Sequence, residues 1–224
     1  MLRSDELDPL PYSAEMPSLM SAWGRVDIHS IAAKFLSDNR VRGAYLEFGV
    51  GAGRSAVTAI RAYTRADICD QFVLFDSFSG LPTPSGVDEN SLQFKAGDYS
   101  HSRIEVIDFL SHYGVNAINV DFVEGWFENS LKKWFSQHQN IFAAVVHVDV
   151  DLYESCTHVL KNIVPAIHSG SIMLFDDWNC FKASSLHGEK RAVREWCILN
   201  PDVILHPFCS YGWHGQAFIV EKRE

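Results

Sequence analysis

The segment Tyr45-Leu-Glu-Phe-Gly-Val-Gly-Ala-Gly-Arg-Ser55 constrains this chain more than any other. Ala44 to Phe48 is a short apolar run that reads as a buried strand. It ends in glycines at alternate positions, Gly49, Gly51 and Gly53, and small helix-forming residues follow at once (Ala56, Val57, Ala59, Ile60). Strand, glycine turn and helix in that order make the first unit of a nucleotide-binding α/β sheet, in which backbone amides at the helix start face a ligand. The spacing is G-x-G-x-G and not the G-x-G-x-x-G of a dinucleotide site, and Glu47 stands two residues before the first glycine. An acid at the strand end beside such a loop suits a ligand with positive charge. S-adenosylmethionine, with its ammonium and sulfonium, is such a ligand. A glycine turn also serves any chain reversal that needs positive φ, so the rest of the sequence has to decide.

The pattern continues as strand and helix in alternation. Asp27 precedes Ile28, Ile31, Ala32, Phe35 and Leu36, the stripe of an amphipathic helix. After the glycine loop a helix is expected to about Ala66, then a strand over Phe72 to Phe75 that ends in Asp76. An acid at that distance beyond a glycine turn commonly receives ribose hydroxyls; its plain alternative is a turn cap. Residues 77–101 are rich in turn formers and long for a connection, which suggests a functional lid. Ser102-Arg-Ile-Glu105 is a capping box opening a helix with Val106, Phe109, Leu110 and Tyr113 on its apolar face. A third strand is expected over Ile118 to Val123, and a helix with Leu131, Trp134 and Phe135 follows Glu124-Gly125-Trp126. A fourth strand spans Ala143 to Val148, and Pro165 stops the helix after it. A fifth strand spans Ser171 to Phe175, and a helix runs from Glu189 to Leu199. Val203 to Phe208 and Gln216 to Val220 close the chain as an antiparallel hairpin.

At 224 residues the chain has room for one α/β domain and little else. Residues 1–25, with prolines and acids where a secretory signal needs an apolar core, read as an irregular arm. The formal charge of −9 speaks against a general nucleic-acid binder, and no apolar run is long enough for a membrane span. The five cysteines form no C-x-x-C pair, which fits reduced thiols in a cytoplasmic protein better than a zinc or redox site. Nothing in the sequence sets the oligomeric state, and a homodimer is left open.

Carboxylates supply the second constraint. Asp149 and Asp151 follow the fourth strand, and Asp176 and Asp177 follow the fifth. Parallel strands bring their carboxyl ends to one rim. If these two strands flank the first, four acids converge beside the glycine loop, where they repel unless a cation joins them. Oxygen ligands at an open site suit Mg²⁺ or Mn²⁺. The alternative for any single acid is a helix cap or a solvated loop. His147, inside the fourth strand, reads as a hydrogen-bonded core residue. Trp126 is open to two readings, a stack on adenine or core packing, and Trp178 and Phe181 are candidates for the acceptor pocket wall.

Asp76-Ser-Phe-Ser-Gly-Leu-Pro82, Gly125-Trp-Phe127, Asp149-Val-Asp-Leu-Tyr-Glu-Ser155 and Phe175-Asp-Asp-Trp178 together resemble the macrocin O-methyltransferase family, from about Tyr45 to Val193. The resemblance implies a Rossmann-like class I methyltransferase fold: a mostly parallel seven-stranded sheet with helices on both faces and a C-terminal antiparallel hairpin. It implies S-adenosylmethionine, a divalent metal (Mg²⁺ or Mn²⁺) and a small-molecule hydroxyl acceptor, a sugar or glycosylated natural product. By that likeness Asp149, Asp176 and Asp177 are metal ligands and Asp151 the general base. Glu47, Gly49, Gly51 and Asp76 are cofactor contacts, joined by Gly53, Ser55, Ser77, Gly125, Trp126 and Asp149 at the same rim. Residues 41–224 form the methyltransferase domain, and residues 1–40 an arm and helix on the lid and acceptor side. Two other classes compete. A D-x-D glycosyltransferase would want basic residues for a diphosphate, and none stand among Asp149 to Asp151 or Asp176 to Asn179. A non-catalytic S-adenosylmethionine-binding module would have no need of four intact acids.

Overall fold

The computed structural model describes residues 27–223, so the arm over residues 1–25 lies outside the described residues. A seven-stranded sheet has the order β3-β2-β1-β4-β5-β7-β6. Its parallel strands are β1 (Ala44–Phe48), β2 (Phe72–Asp76), β3 (Val120–Glu124), β4 (Ala143–Val148) and β5 (Ile172–Phe175). β6 (Val203–Tyr211) and β7 (Gly215–Lys222) add the antiparallel hairpin, with β7 against β5. The helices are α1 (Ile28–Asp38), α2 (Arg54–Arg65), α3 (Arg103–His112), α4 (Phe127–Gln137), α5 (Tyr153–Ile163) and α6 (Gly188–Leu199). None of them is long and apolar enough to cross a membrane.

The near-continuous apolar runs of β1, β4 and β5 follow from coverage on both sides, since every residue of these strands is buried. One core joins Tyr45, Leu74, Val145 and Leu174 to α1, α2 and α3. The other joins Leu46, Phe48, Val146 and Phe175 to α4, α5 and α6. α1 packs into the first core through Ile28, Ala32, Ala33 and Leu36. The buried stripe of α1 lies about one residue round from expectation: His29 is buried, whereas Ile31 and Phe35 are only half-buried. The reason is polar. His29 Nδ1 lies 3.0 Å from the Tyr63 hydroxyl inside the core.

Three further differences from the sequence reading matter. β3 starts at Val120, because the Asn116 side chain accepts the Ile118 N–H at 3.0 Å and folds residues 117–119 into a turn, leaving Ile118 exposed. β4 flanks β1, but β5 lies one strand further out. Residues 77–101 are also more anchored than a free loop. Leu81 N–H donates to Asp98 O and Gly97 N–H to Leu81 O, both at 2.9 Å, and Phe94 packs with Leu152 and Cys180 in a small core of its own. The capping box forms as expected, with Ser102 and Glu105 bonded reciprocally.

Candidate active site at the carboxyl rim of the sheet

The parallel strands end along one rim, and there a cavity of about 750 Å³ opens. At its centre the β1 and β4 chain ends touch. Gly49 has φ +81°, and a Cβ there would stand 1.7 Å from the Asp149 carbonyl oxygen, so only glycine lets the two backbones meet. Gly51 is the opposite case: with φ +49° and nothing within 4 Å of a Cβ, it leaves open space on the cavity wall. Asp76, at the end of β2, holds this turn in shape. Its Oδ2 accepts from Val50 N–H at 2.7 Å and Gly51 N–H at 3.4 Å, while its Oδ1 accepts from Phe78 N–H at 2.7 Å.

Ser55, Ser77, Gly125, Trp126 and Asp149 also line the cavity. Trp126, 42% exposed at the start of α4, is a wall residue and not core packing. Glu47 and Gly53 stand behind the wall. The Glu47 side chain is fully buried, accepting from the Tyr45 hydroxyl at 2.8 Å and from the Ser55 hydroxyl, and burial pushes its carboxyl up. Glu47 therefore reaches the cavity through Ser55. Trp178 and Phe181 do not wall the cavity. Trp178 packs on Phe175 and Phe218, and Phe181 on Phe94 and His187. Tyr99 and Trp213 line the cavity instead.

The strand-end acids converge. Carboxylate oxygens of Asp149, Asp151 and Asp177 lie within 4.8 Å of one another. Asp176 sits beside them but faces two histidines, with Oδ1 3.8 Å from His147 Nε2 and Oδ2 3.4 Å from His214 Nδ1. Burial, and then the charges of the neighbouring acids, push the Asp149 and Asp151 carboxyls well above the usual range; the same causes push Asp177 up to about 6. Asp176 goes the other way: burial acts upward, but His147 and His214 outweigh it and hold its carboxyl low. His147 is buried as expected and hydrogen-bonds Tyr45 at 3.0 Å, yet it also lines the cavity, with the 3.8 Å approach to Asp176 and no shorter hydrogen bond at Nε2 among the described residues. Asp151 has φ +60°, a left-handed conformation rare outside glycine and tolerated best by Asp and Asn.

Two buried acids were missed. Asp88, inside the long loop, accepts from Tyr153 N–H at 2.7 Å and Gly188 N–H at 3.2 Å, tying the loop to the starts of α5 and α6. No local sequence pattern announces this. Glu189, fully buried, accepts backbone N–H groups from both acidic loops. Its signal was present: Glu189, Ala192, Val193 and Trp196 share one helical stripe, which places an acid on a buried face.

Residues 15–196 match the model of the family described as Macrocin-O-methyltransferase (TylF). Among curated relatives, the 8-demethyl-8-(2,3-dimethoxy-alpha-L-rhamnosyl)-tetracenomycin-C 4'-O-methyltransferase of Streptomyces olivaceus is 27% identical over 184 residues, covering 77% of this chain and 68% of that protein. The demethyldecarbamoylnovobiocin O-methyltransferase of Streptomyces niveus is 30% identical over 147 residues, covering 62% of this chain and 54% of that protein. Among solved structures, the O-methyltransferase NovP superposes with a TM-score of 0.70 at 25% identity, over 87% of this chain and 78% of that one. The calicheamicin methyltransferase CalS11 superposes equally well, with a TM-score of 0.70 at 21% identity over 95% and 88% of the two chains, a likeness of fold.

Proposed function

The chain belongs to the macrocin O-methyltransferase family, and from that premise we propose that it methylates a hydroxyl of a sugar, or of a natural product that bears one, using S-adenosylmethionine and a divalent cation. That it is an O-methyltransferase follows from the family and its named relatives. The observation that carries the finer reading is the composition of one cavity: a glycine loop tied to Asp76 at one end and clustered carboxylates at the other.

The residues present fit both groups. Gly51 leaves a cradle beside the Asp76 carboxylate, which has acceptor capacity left for ribose hydroxyls. The acids carry oxygen donors only, and burial first and mutual repulsion second push the Asp149 and Asp151 carboxyls upward, which a cation among them offsets. Arg54 is the sole Lys or Arg lining the cavity among the described residues, and it belongs to the glycine loop end. A diphosphate at the acidic end would thus meet acids with no lysine or arginine beside them, which disfavours the glycosyltransferase alternative.

We assign metal binding to Asp149 and Asp177, with Asp176 completing the set, and proton acceptance to Asp151. When bound, S-adenosylmethionine supplies an electrophilic methyl group and the cation supplies Lewis acidity toward a hydroxyl whose own pKa lies far above neutrality. Asp151 takes the hydroxyl proton, held in reach by its left-handed backbone and by the bond from its N–H to Asp177 Oδ2 at 3.0 Å. Asp76 and the glycine loop orient the cofactor, and Trp126 and Tyr99 line the walls, so alignment contributes much of the acceleration. Ile28 and His29 of α1 also line the cavity, which supports assigning residues 1–40 to the acceptor side and 41–224 to the methyltransferase domain.

Ligand-dependent melting tests the reading. S-adenosylhomocysteine at about 100 times its Kd is expected to stabilise the fold by about 2.7 kcal/mol, or roughly 5 to 10 °C for a chain of this size. Stabilisation by a nucleotide-sugar with Mn²⁺, and none by S-adenosylhomocysteine, would move the protein to the glycosyltransferase class.

A further inference from the structure

We infer that Glu189 is a positioning residue for the acid cluster, setting the separation of the two strand-end loops that carry Asp149 and Asp151 on one side and Asp176 and Asp177 on the other. The inference rests on the metal reading above and goes beyond it to a residue outside the four acids. Glu189 Oε1 accepts from Val150 N–H at 3.4 Å, and Val150 stands between Asp149 and Asp151. Its Oε2 accepts from Asp177 N–H at 3.0 Å, the amide of the peptide that joins Asp176 to Asp177. One carboxylate thus spans both loops. A second stitch runs the same way, from Asp151 N–H to Asp177 Oδ2 at 3.0 Å.

An acid in the first turn of a helix ordinarily faces that helix's own free N–H groups. Glu189 is in the first turn of α6, but both of these bonds leave the helix. Its side chain is fully buried, and neither bond is to a lysine or arginine. Burying a carboxylate in that way is expensive unless its oxygens are well satisfied. A neutral group would meet the needs of a helix start at lower cost. What the carboxylate provides is two acceptors at fixed separation, and they hold two chain segments that each carry acids repelling those of the other. Asp88 steadies the same helix end by accepting Gly188 N–H, one residue earlier, at 3.2 Å.

Mn²⁺ titration followed by the electron paramagnetic resonance of the free ion tests this on the intact protein. Glu189→Gln keeps the shape and one acceptor but turns an amide N–H₂ toward one of the two backbone N–H groups. Mn²⁺ affinity is expected to fall about 10- to 100-fold, as it does when groups that orient metal ligands are removed. S-adenosylhomocysteine affinity and the circular dichroism spectrum should not change, and Glu195→Gln, half-buried on α6 and bonded to Tyr153 and Arg191 away from the acid cluster, should bind Mn²⁺ like the unaltered protein. Equal Mn²⁺ affinity in Glu189→Gln and the unaltered protein overturns the inference alone. An unaltered protein that takes up no Mn²⁺ overturns the metal reading and this inference with it. Should Glu189→Gln not fold, amide exchange in the unaltered protein decides: Val150 and Asp177 amides must be protected as strongly as those of β4, and exchange at the rate of exposed amides overturns the inference.

Discussion

Stripping divalent cations with EDTA is expected to abolish methyl transfer, and Mg²⁺ or Mn²⁺ to restore it. Two losses coincide in the stripped protein. The acceptor hydroxyl loses its Lewis acid, a contribution of several kcal/mol, and each 1.36 kcal/mol is about tenfold in rate. The base is hampered as well. Without a cation, burial and the charges of Asp177 and Asp176 hold the Asp151 carboxyl well above the usual range, which favours its protonated form over the form that accepts a proton. A cation among these acids lowers it again. A loss of about a thousandfold or more is therefore expected, measured as label transferred from S-adenosylmethionine to a diol-bearing glycoside. Full activity in metal-free protein would recast the four acids as structural.

Asp151→Asn separates the base from the metal. Asparagine tolerates the left-handed conformation at φ +60°, and the backbone N–H still reaches Asp177, so the fold should hold. The proton then has no acceptor. Removing a general base costs about 10²- to 10⁴-fold, and the whole loss should fall on kcat, with Mn²⁺ and S-adenosylhomocysteine still bound. A variant that binds Mn²⁺ more weakly but regains its kcat at saturating Mn²⁺ would make Asp151 a ligand, a role its place among the converging oxygens allows.

What could be read from the sequence was what neighbouring residues determine. The near-continuous apolar runs over Ala44 to Phe48 and Ala143 to Val148 are strands because helices cover both faces, and the acids after β4 and β5 reach one rim because parallel strands end there. Where distant partners intervene, the reading failed. Trp178 and Phe181 follow an acidic pair that lines the cavity, but the β7 strand and the long loop draw their rings away from it. Glu47 is a nearer case: read as a ligand contact from its place beside the glycines, it is enclosed by the hydroxyls of Tyr45 and Ser55, two and eight residues away. Asp88 carries no local signal, since its partners lie 65 and 100 residues away. Trp126 had two readings in sequence that only its exposure could separate.

The most direct measurement is a crystal structure with Mn²⁺ and S-adenosylhomocysteine, the ion located by its anomalous scattering. The account predicts Mn²⁺ bonded to carboxylate oxygens of Asp149 and Asp177, the ribose of S-adenosylhomocysteine on Asp76, and its sulfur facing the acids across one cavity. Mn²⁺ away from these acids, or the adenosine seated elsewhere than beside Asp76, would contradict it.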